Sequence, residues 1–190
     1  MRTTTITTRL ERAGVLDRPA AWLRALAARA PDGTVRDALR GTPLGHPAHP
    51  ILVQVPIGAW LSSAVLDCVP GTGRASAELI AVGLAAAVPA AAAGAVDLAA
   101  AERPAQRRVG VAHAACNWIG IACYCASLTA RMRHRPLRGR LWALGGLTAV
   151  GAGGYLGGHL AYRLGVGVDV PGPSPDGQPT GDLFTRVDAR

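Results

Sequence analysis

The chain has 190 residues, half of them hydrophobic (49%) and only 17% charged, with a single Phe among a few aromatics. Ala and Gly supply much of the apolar count, which is poor material for filling a water-soluble core but suits helices packed backbone to backbone in lipid. The net charge of +8 comes entirely from 20 Arg with no Lys. These residues flank apolar segments and are not interleaved with aromatics, which excludes a nucleic-acid-binding surface as the first reading and points to lipid head groups.

Residues 1–45 are polar and basic. No apolar run within them reads as a cleavable signal peptide, so insertion is expected to rest on the first true span. Pro19 to Arg29 predicts a short amphipathic helix with Trp22, Leu23 and Leu26 on one face, lying on the membrane surface or against the bundle ends. A second short helix is expected from Thr34 to Arg40. Four apolar runs follow, at residues 51–69, 77–100, 109–129 and 141–162, each near the ~20 residues that cross a bilayer. Short connections between them predict an all-α, integral-membrane, antiparallel four-helix bundle over residues 46–168. The last run is rich in Gly, and Gly153 with Gly157 and Gly154 with Gly158 form small-xxx-small pairs for close helix contact. Residues 169–190 read as a disordered tail, and no internal repeat is evident.

The four Cys (Cys68, Cys116, Cys123 and Cys125) lie in or at apolar segments and read as small bundle residues. They have neither disulfide-framework nor metal-knuckle spacing. Six Arg near the spans fall on each side, so loop charge does not fix orientation. The remaining Arg of the N-terminal region tip the N-terminus toward the cytoplasm of a bacterial plasma membrane.

Alternating crossings bring the start of the first span, the end of the second, the start of the third and the end of the fourth to one side. That places His46, His49, His113 and His159 at one membrane face, with Asp97 among them. Only His134 falls elsewhere. The segment Gly45-His46-Pro47-Ala48-His49-Pro50 is the sharpest local feature, because Pro is tolerated where the first helical N–H groups have no partner. His113 heads a face that continues with Asn117 and Tyr124. His159 shares a face with Tyr155.

Imidazole ligates haem iron and transition-metal ions when a neighbour orients the ring. The expected site is therefore a haem or metal centre ligated by His46, His49, His113 and His159, with Asp97, Asn117 and Tyr155 supporting it. Each histidine has a structural alternative as a helix cap or packing residue. The structural alternatives pair Asp97 with a protonated histidine of the cluster or with Arg103, and Asp67 with Arg74. No catalytic nucleophile or paired acid and base is visible. A small oligomeric transporter or proton conductor and a non-catalytic anchoring subunit are the rival functions. The former needs polar residues through the full membrane depth.

The stretches 45–53 (Gly-His-Pro-Ala-His-Pro-Ile-Leu-Val), 56–60 (Pro-Ile-Gly-Ala-Trp), Asp67, 94–97, His113 with Asn117, and 155–162 (Tyr-Leu-Gly-Gly-His-Leu-Ala-Tyr) resemble the bacterial membrane proteins of the domain of unknown function 2231 family. The resemblance spans roughly residues 10–170 and implies a four-span membrane domain. Some relatives join it to a Rieske-type iron–sulfur module, which implies redox work. This chain has no Cys-x-His pair for such a cluster, so its electron partner would be a separate redox protein.

Overall fold

A computed structural model describes residues 6–29 and 33–167. The expected tail, residues 169–190, lies outside the described residues. The described structure is helical, without strands. Three short helices, α1 (Ile6–Arg12), α2 (Asp17–Ala27) and α3 (Thr34–Arg40), precede five more. These are α4 (Ala48–Leu52), α5 (Gln54–Leu66), α6 (Gly73–Ala99), α7 (Pro104–Met132) and α8 (Pro136–Tyr162).

The boundaries follow from proline placement. Pro47 caps α4 and Pro50 sits in its first turn, where a missing N–H removes no intrahelical bond. Pro56 cannot donate to the Leu52 carbonyl, and the helix is interrupted at Val53. Pro104 and Pro136 each stand at the start of a long helix. Pro89 is carried inside α6.

Three helical stretches are long and apolar enough to cross a membrane: Ala48–Leu66, Gly73–Ala99 and Pro104–Met132. The fourth expected span forms a helix of comparable length, 27 residues, but does not join that group. Eight of its residues are Gly, which adds little hydropathy, and Arg138 and Arg140 lie in its first turns.

Packing runs inside out relative to a water-soluble protein. Ser63, Ser76 and Ser127 are fully buried, as are many Ala and Gly. Large apolar residues such as Val55, Leu61, Val65, Val82, Val88 and Ile119 face outward. α5 packs antiparallel to α6, with Trp60 against Gly83 and Ser63 against Ser76. α7 packs antiparallel to α8, with Tyr124 against Gly146 and Ser127 against Gly139.

An internal repeat, not evident from residue identities, emerges in the packing. His49, Pro56, Trp60, Ser63 and Asp67 correspond to His113, Gly120, Tyr124, Ser127 and Arg131, each 64 positions later. The buried residues of α6 from Ser76 through Ile80, Gly83, Ala87 and Ala90 to Ala93 correspond to Gly139, Ala143, Gly146, Val150, Gly153 and Leu156 of α8, each 63 positions later. Equivalent positions meet between the two hairpins. The His49 and His113 ring centroids are 6.1 Å apart, and Trp60 and Tyr124 stack at 4.3 Å with a 12° interplanar angle. Asp67 and Arg131 form an ion pair. The hairpins are thus related by an approximate two-fold axis running along the bundle.

Candidate functional site

At one end of the axis, two imidazoles sit in matching notches. His49 Nδ1 lies 2.8 Å from the Ala90 carbonyl oxygen of α6, and His113 Nδ1 lies 2.7 Å from the Gly153 carbonyl oxygen of α8. A carbonyl only accepts, so each Nδ1 carries the hydrogen and donates it. Room for each ring comes from a glycine four residues beyond the accepting carbonyl. A Cβ on Gly94 would lie 2.9 Å from the His49 ring, and one on Gly157 would lie 3.1 Å from the His113 ring. The two rings meet edge to face, at 84°.

The second nitrogens differ. Asn117 Nδ2 donates to His113 Nε2 at 2.9 Å, one turn along α7. Among the described residues, nothing bonds His49 Nε2. A cleft of about 430 Å³ opens beside Asp97, lined also by Arg40, Pro47, Arg103, Gln106 and Gly167.

The other predicted site residues go elsewhere. His46 is exposed on the loop before α4. Its carbonyl packs so closely on Gly41 that a Cβ there would lie 1.9 Å away, and Gly41 has the positive φ (83°) that glycine tolerates. His159 Nε2 is 2.7 Å from Glu11 Oε1 of α1. Tyr155 is exposed and shares a shallow pocket with Glu11 and His159. The four histidines therefore do not form one ligand set. Among the described residues, no group of three or more His, Cys, Asp or Glu is placed to hold a metal ion. The physical reason is that α1 folds over the end of α7 and α8 and engages His159, while a turn of loop holds His46 outside.

Both expected carboxylate pairings are corrected as well. Arg103 and Gln106 donate to the Leu164 carbonyl, fastening the segment after α8 to the start of α7. Arg74 instead pairs with Glu78 at 2.9 Å. Asp67 is bound at the opposite end of the axis by Arg131, with Nη1–Oδ1 at 2.9 Å and Nη2–Oδ2 at 2.5 Å. Ser76 donates to the same carboxylate at 2.7 Å, and Arg131 Nε donates to Ser127 at 3.2 Å. The Asp67 carboxyl pays a desolvation cost that raises its pKa, but the hydrogen bonds from Arg131 and Ser76 outweigh it and hold it below the ordinary carboxylate value.

Sequence reasoning missed Glu11, Arg131 and the three buried serines. The signal was present as a spacing: imidazole, then an aromatic 11 positions on, a serine 3 further and a charge 4 further, in both halves of the chain.

Between the two ends, the Trp60–Tyr124 stack occupies the axis. Trp60 Nε1 donates to the Ile80 carbonyl at 3.4 Å. The buried Tyr124 hydroxyl has no partner among the described residues.

A family model described as a predicted membrane protein, DUF2231, matches residues 45–170. No curated protein matches the chain, and no solved structure does.

Proposed function

The chain belongs to the DUF2231 family of predicted membrane proteins, and from that premise we propose that it is a four-crossing membrane subunit that binds haem at the His49–His113 pair and exchanges electrons with a separate redox protein. Support for the fourth crossing comes from α8 packing along α7 while Leu137, Leu141, Trp142 and Leu144 stay exposed, a face suited to lipid. Bacterial plasma membrane, with the N-terminus in the cytoplasm, is the setting proposed.

The observation that carries the haem reading is the pairing itself. Two imidazoles from different helices meet edge to face, each oriented by a carbonyl on its Nδ1. A ligating histidine is commonly held this way, which leaves Nε2 for the metal. A metal ion bound by protein alone needs three or four ligands, whereas haem iron takes two axial ones. Residues and group fit in part: His49 has its nitrogen open, and His113 would have to exchange its Asn117 contact for iron. Haem would supply one-electron chemistry. The protein would supply the ligands, their tautomers and a setting shielded from water.

The Trp60–Tyr124 stack argues against a transport path or proton wire along the axis of one copy. A second reading is an assembly or anchoring subunit. It is favoured because the same carbonyl bonds already tie α4 to α6 and α7 to α8, and because α2 presents exposed Trp22 and Leu26 among Arg residues.

The test is the absorption spectrum of the full chain, purified from cells supplied with iron and a haem precursor. A low-spin haem spectrum is expected, lost in His49→Ala and in His113→Ala and kept in His46→Ala and His159→Ala. A colourless wild-type preparation refutes the haem reading, as does a spectrum that persists in both His49→Ala and His113→Ala.

A further inference from the structure

We infer that the outer face of α2 is a seat for anionic phospholipid, with Trp22 and Leu26 at the border of the acyl chains and Arg18 and Arg29 on the headgroup phosphates. The inference does not depend on any haem.

Two opposite stripes run along this helix, which packs on α6 and α7. On the inner stripe Ala20 is buried, and Leu23, Arg24 and Ala27 are half-buried. On the outer stripe stand Arg18, Trp22, Leu26 and Arg29, at helical spacing and all exposed. Two apolar side chains are thus bracketed by two guanidiniums, neither of which has a side-chain partner among the described residues. The outward charge is positive for a structural reason. Glu11 and Asp17 are the only acids between Ile6 and Arg29, and both are turned into the bundle. Glu11 holds His159 at 2.7 Å, and Asp17 takes two hydrogen bonds from Arg108, also at 2.7 Å.

Depth decides the occupant. Arg24 Nε donates to the carbonyl of Ala99, the last residue of α6. Arg108, which holds Asp17 and the Glu11 carbonyl, lies in the second turn of α7, and His159 lies in the last turn of α8. The N-terminal layer is therefore fastened to the ends of the long helices. With 27 and 29 residues, α6 and α7 are about 40 Å long or slightly more at ~1.5 Å per residue, against a hydrocarbon core of ~30 Å. Their end turns reach into the headgroup zone, and α2 lies level with them. At that level, surface that the protein leaves uncovered meets lipid. Trp is favoured at the border between acyl chains and headgroups, and Arg complements the negative charge of an anionic leaflet.

The experiment uses the full chain reconstituted in vesicles of phosphatidylcholine, with and without phosphatidylglycerol. Subtracting the fluorescence of Trp22→Phe from that of the wild type isolates Trp22. A tryptophan in contact with lipid is quenched by phospholipid dibrominated on its acyl chain. Trp22 is expected to be quenched in this way and to be shielded from aqueous acrylamide. Dibrominated phosphatidylglycerol should be preferred over dibrominated phosphatidylcholine, by about fivefold for each arginine. Arg18→Gln combined with Arg29→Gln should abolish the preference, whereas Arg133→Gln with Arg135→Gln, in the loop at the far end, should leave it unchanged. High salt should weaken the preference in the wild type, which tests the charge without any variant. Quenching of Trp22 by acrylamide and not by brominated lipid puts the face in water and overturns the inference. Shielding from acrylamide without quenching by lipid means that protein covers the face, a second copy or another chain, and overturns it too. Equal quenching by the two lipids, or a preference indifferent to salt, overturns the role of the arginines.

Discussion

Replacing Asp67 by Asn should destabilise the bundle far more than an exposed charge change would. The Arg131 side chain is 7% exposed and the Asp67 side chain 10%, so the variant leaves a guanidinium enclosed without its counter-ion. Breaking one partner of a buried pair costs about 3–5 kcal/mol. Two features put this case near the lower bound. Ser127 still accepts from Arg131 Nε, and the half-exposed Arg140, 3.9 Å from the carboxylate, loses an unfavourably long contact of little value. A loss of about 3 kcal/mol corresponds to a drop of roughly 6–12 °C in Tm for a domain of this size. The assay is thermal unfolding in detergent followed by tryptophan fluorescence, with Trp60 on the same axis as the reporter. Arg131→Met should be milder than Asp67→Asn, since an uncharged side chain leaves only the carboxylate bereft, and Ser76 still donates to it. The double exchange Asp67→Arg with Arg131→Asp should recover at least half of the loss, because the two positions are equivalent across the two-fold axis. Acidification acts in the same sense. The folded carboxyl lies below its ordinary value of 3.8, so the stabilisation is present above that pH and disappears as pH falls through the lower folded value. A wild-type Tm in Asp67→Asn refutes the argument about burial. A double exchange no better than Asp67→Arg alone refutes the argument about equivalence.

Tyr124→Phe removes a buried hydroxyl that has no partner among the described residues, while keeping the ring on Trp60. Stability should stay level or rise by up to about 1 kcal/mol, and a clear fall in the same melting assay would show that the hydroxyl is bonded. The N-terminal layer should loosen in acid. The Arg108 hydrogen bonds to Asp17 hold that carboxyl below 3.8, so the contact persists above that pH and is lost as pH falls through the lower folded value. Protection factors of α2 amides, taken against the intrinsic exchange rate at each pH, should fall in that window in the wild type, and Asp17→Asn should show the loosened state already at neutral pH. Equal α2 exchange in the two proteins at pH 7 would refute the clamp.

The helices were legible because composition and proline dictate them. The Thr34–Arg40 helix falls where its sequence places it, and α6, α7 and α8 match the last three apolar runs to within a few residues, whereas the first run is divided between α4 and α5 and its helix ends at Leu66. What the apolar pattern could not convey is which neighbour a polar group chooses. Arg74 is nearest Asp67 in sequence, yet Arg131 reaches it because the repeat axis brings positions 64 apart face to face. For the histidines, the pattern could not convey which of them come together. His49 and His113 meet, whereas His46 precedes the helix and His159 points to α1. The repeat escaped notice because few of its equivalent residues are identical: Trp stands for Tyr, Asp for Arg and Ser76 for Gly139.

Because each repeat is a hairpin, the backbone comes back after every pair of helices to the end of the molecule it left. The α1–α3 layer and residues 163–167 consequently share the imidazole end, where Glu11 grips His159 and Arg103 grips Leu164. That end therefore carries both the basic N-terminal layer and the paired imidazoles, while the far end is closed by a carboxylate and a guanidinium.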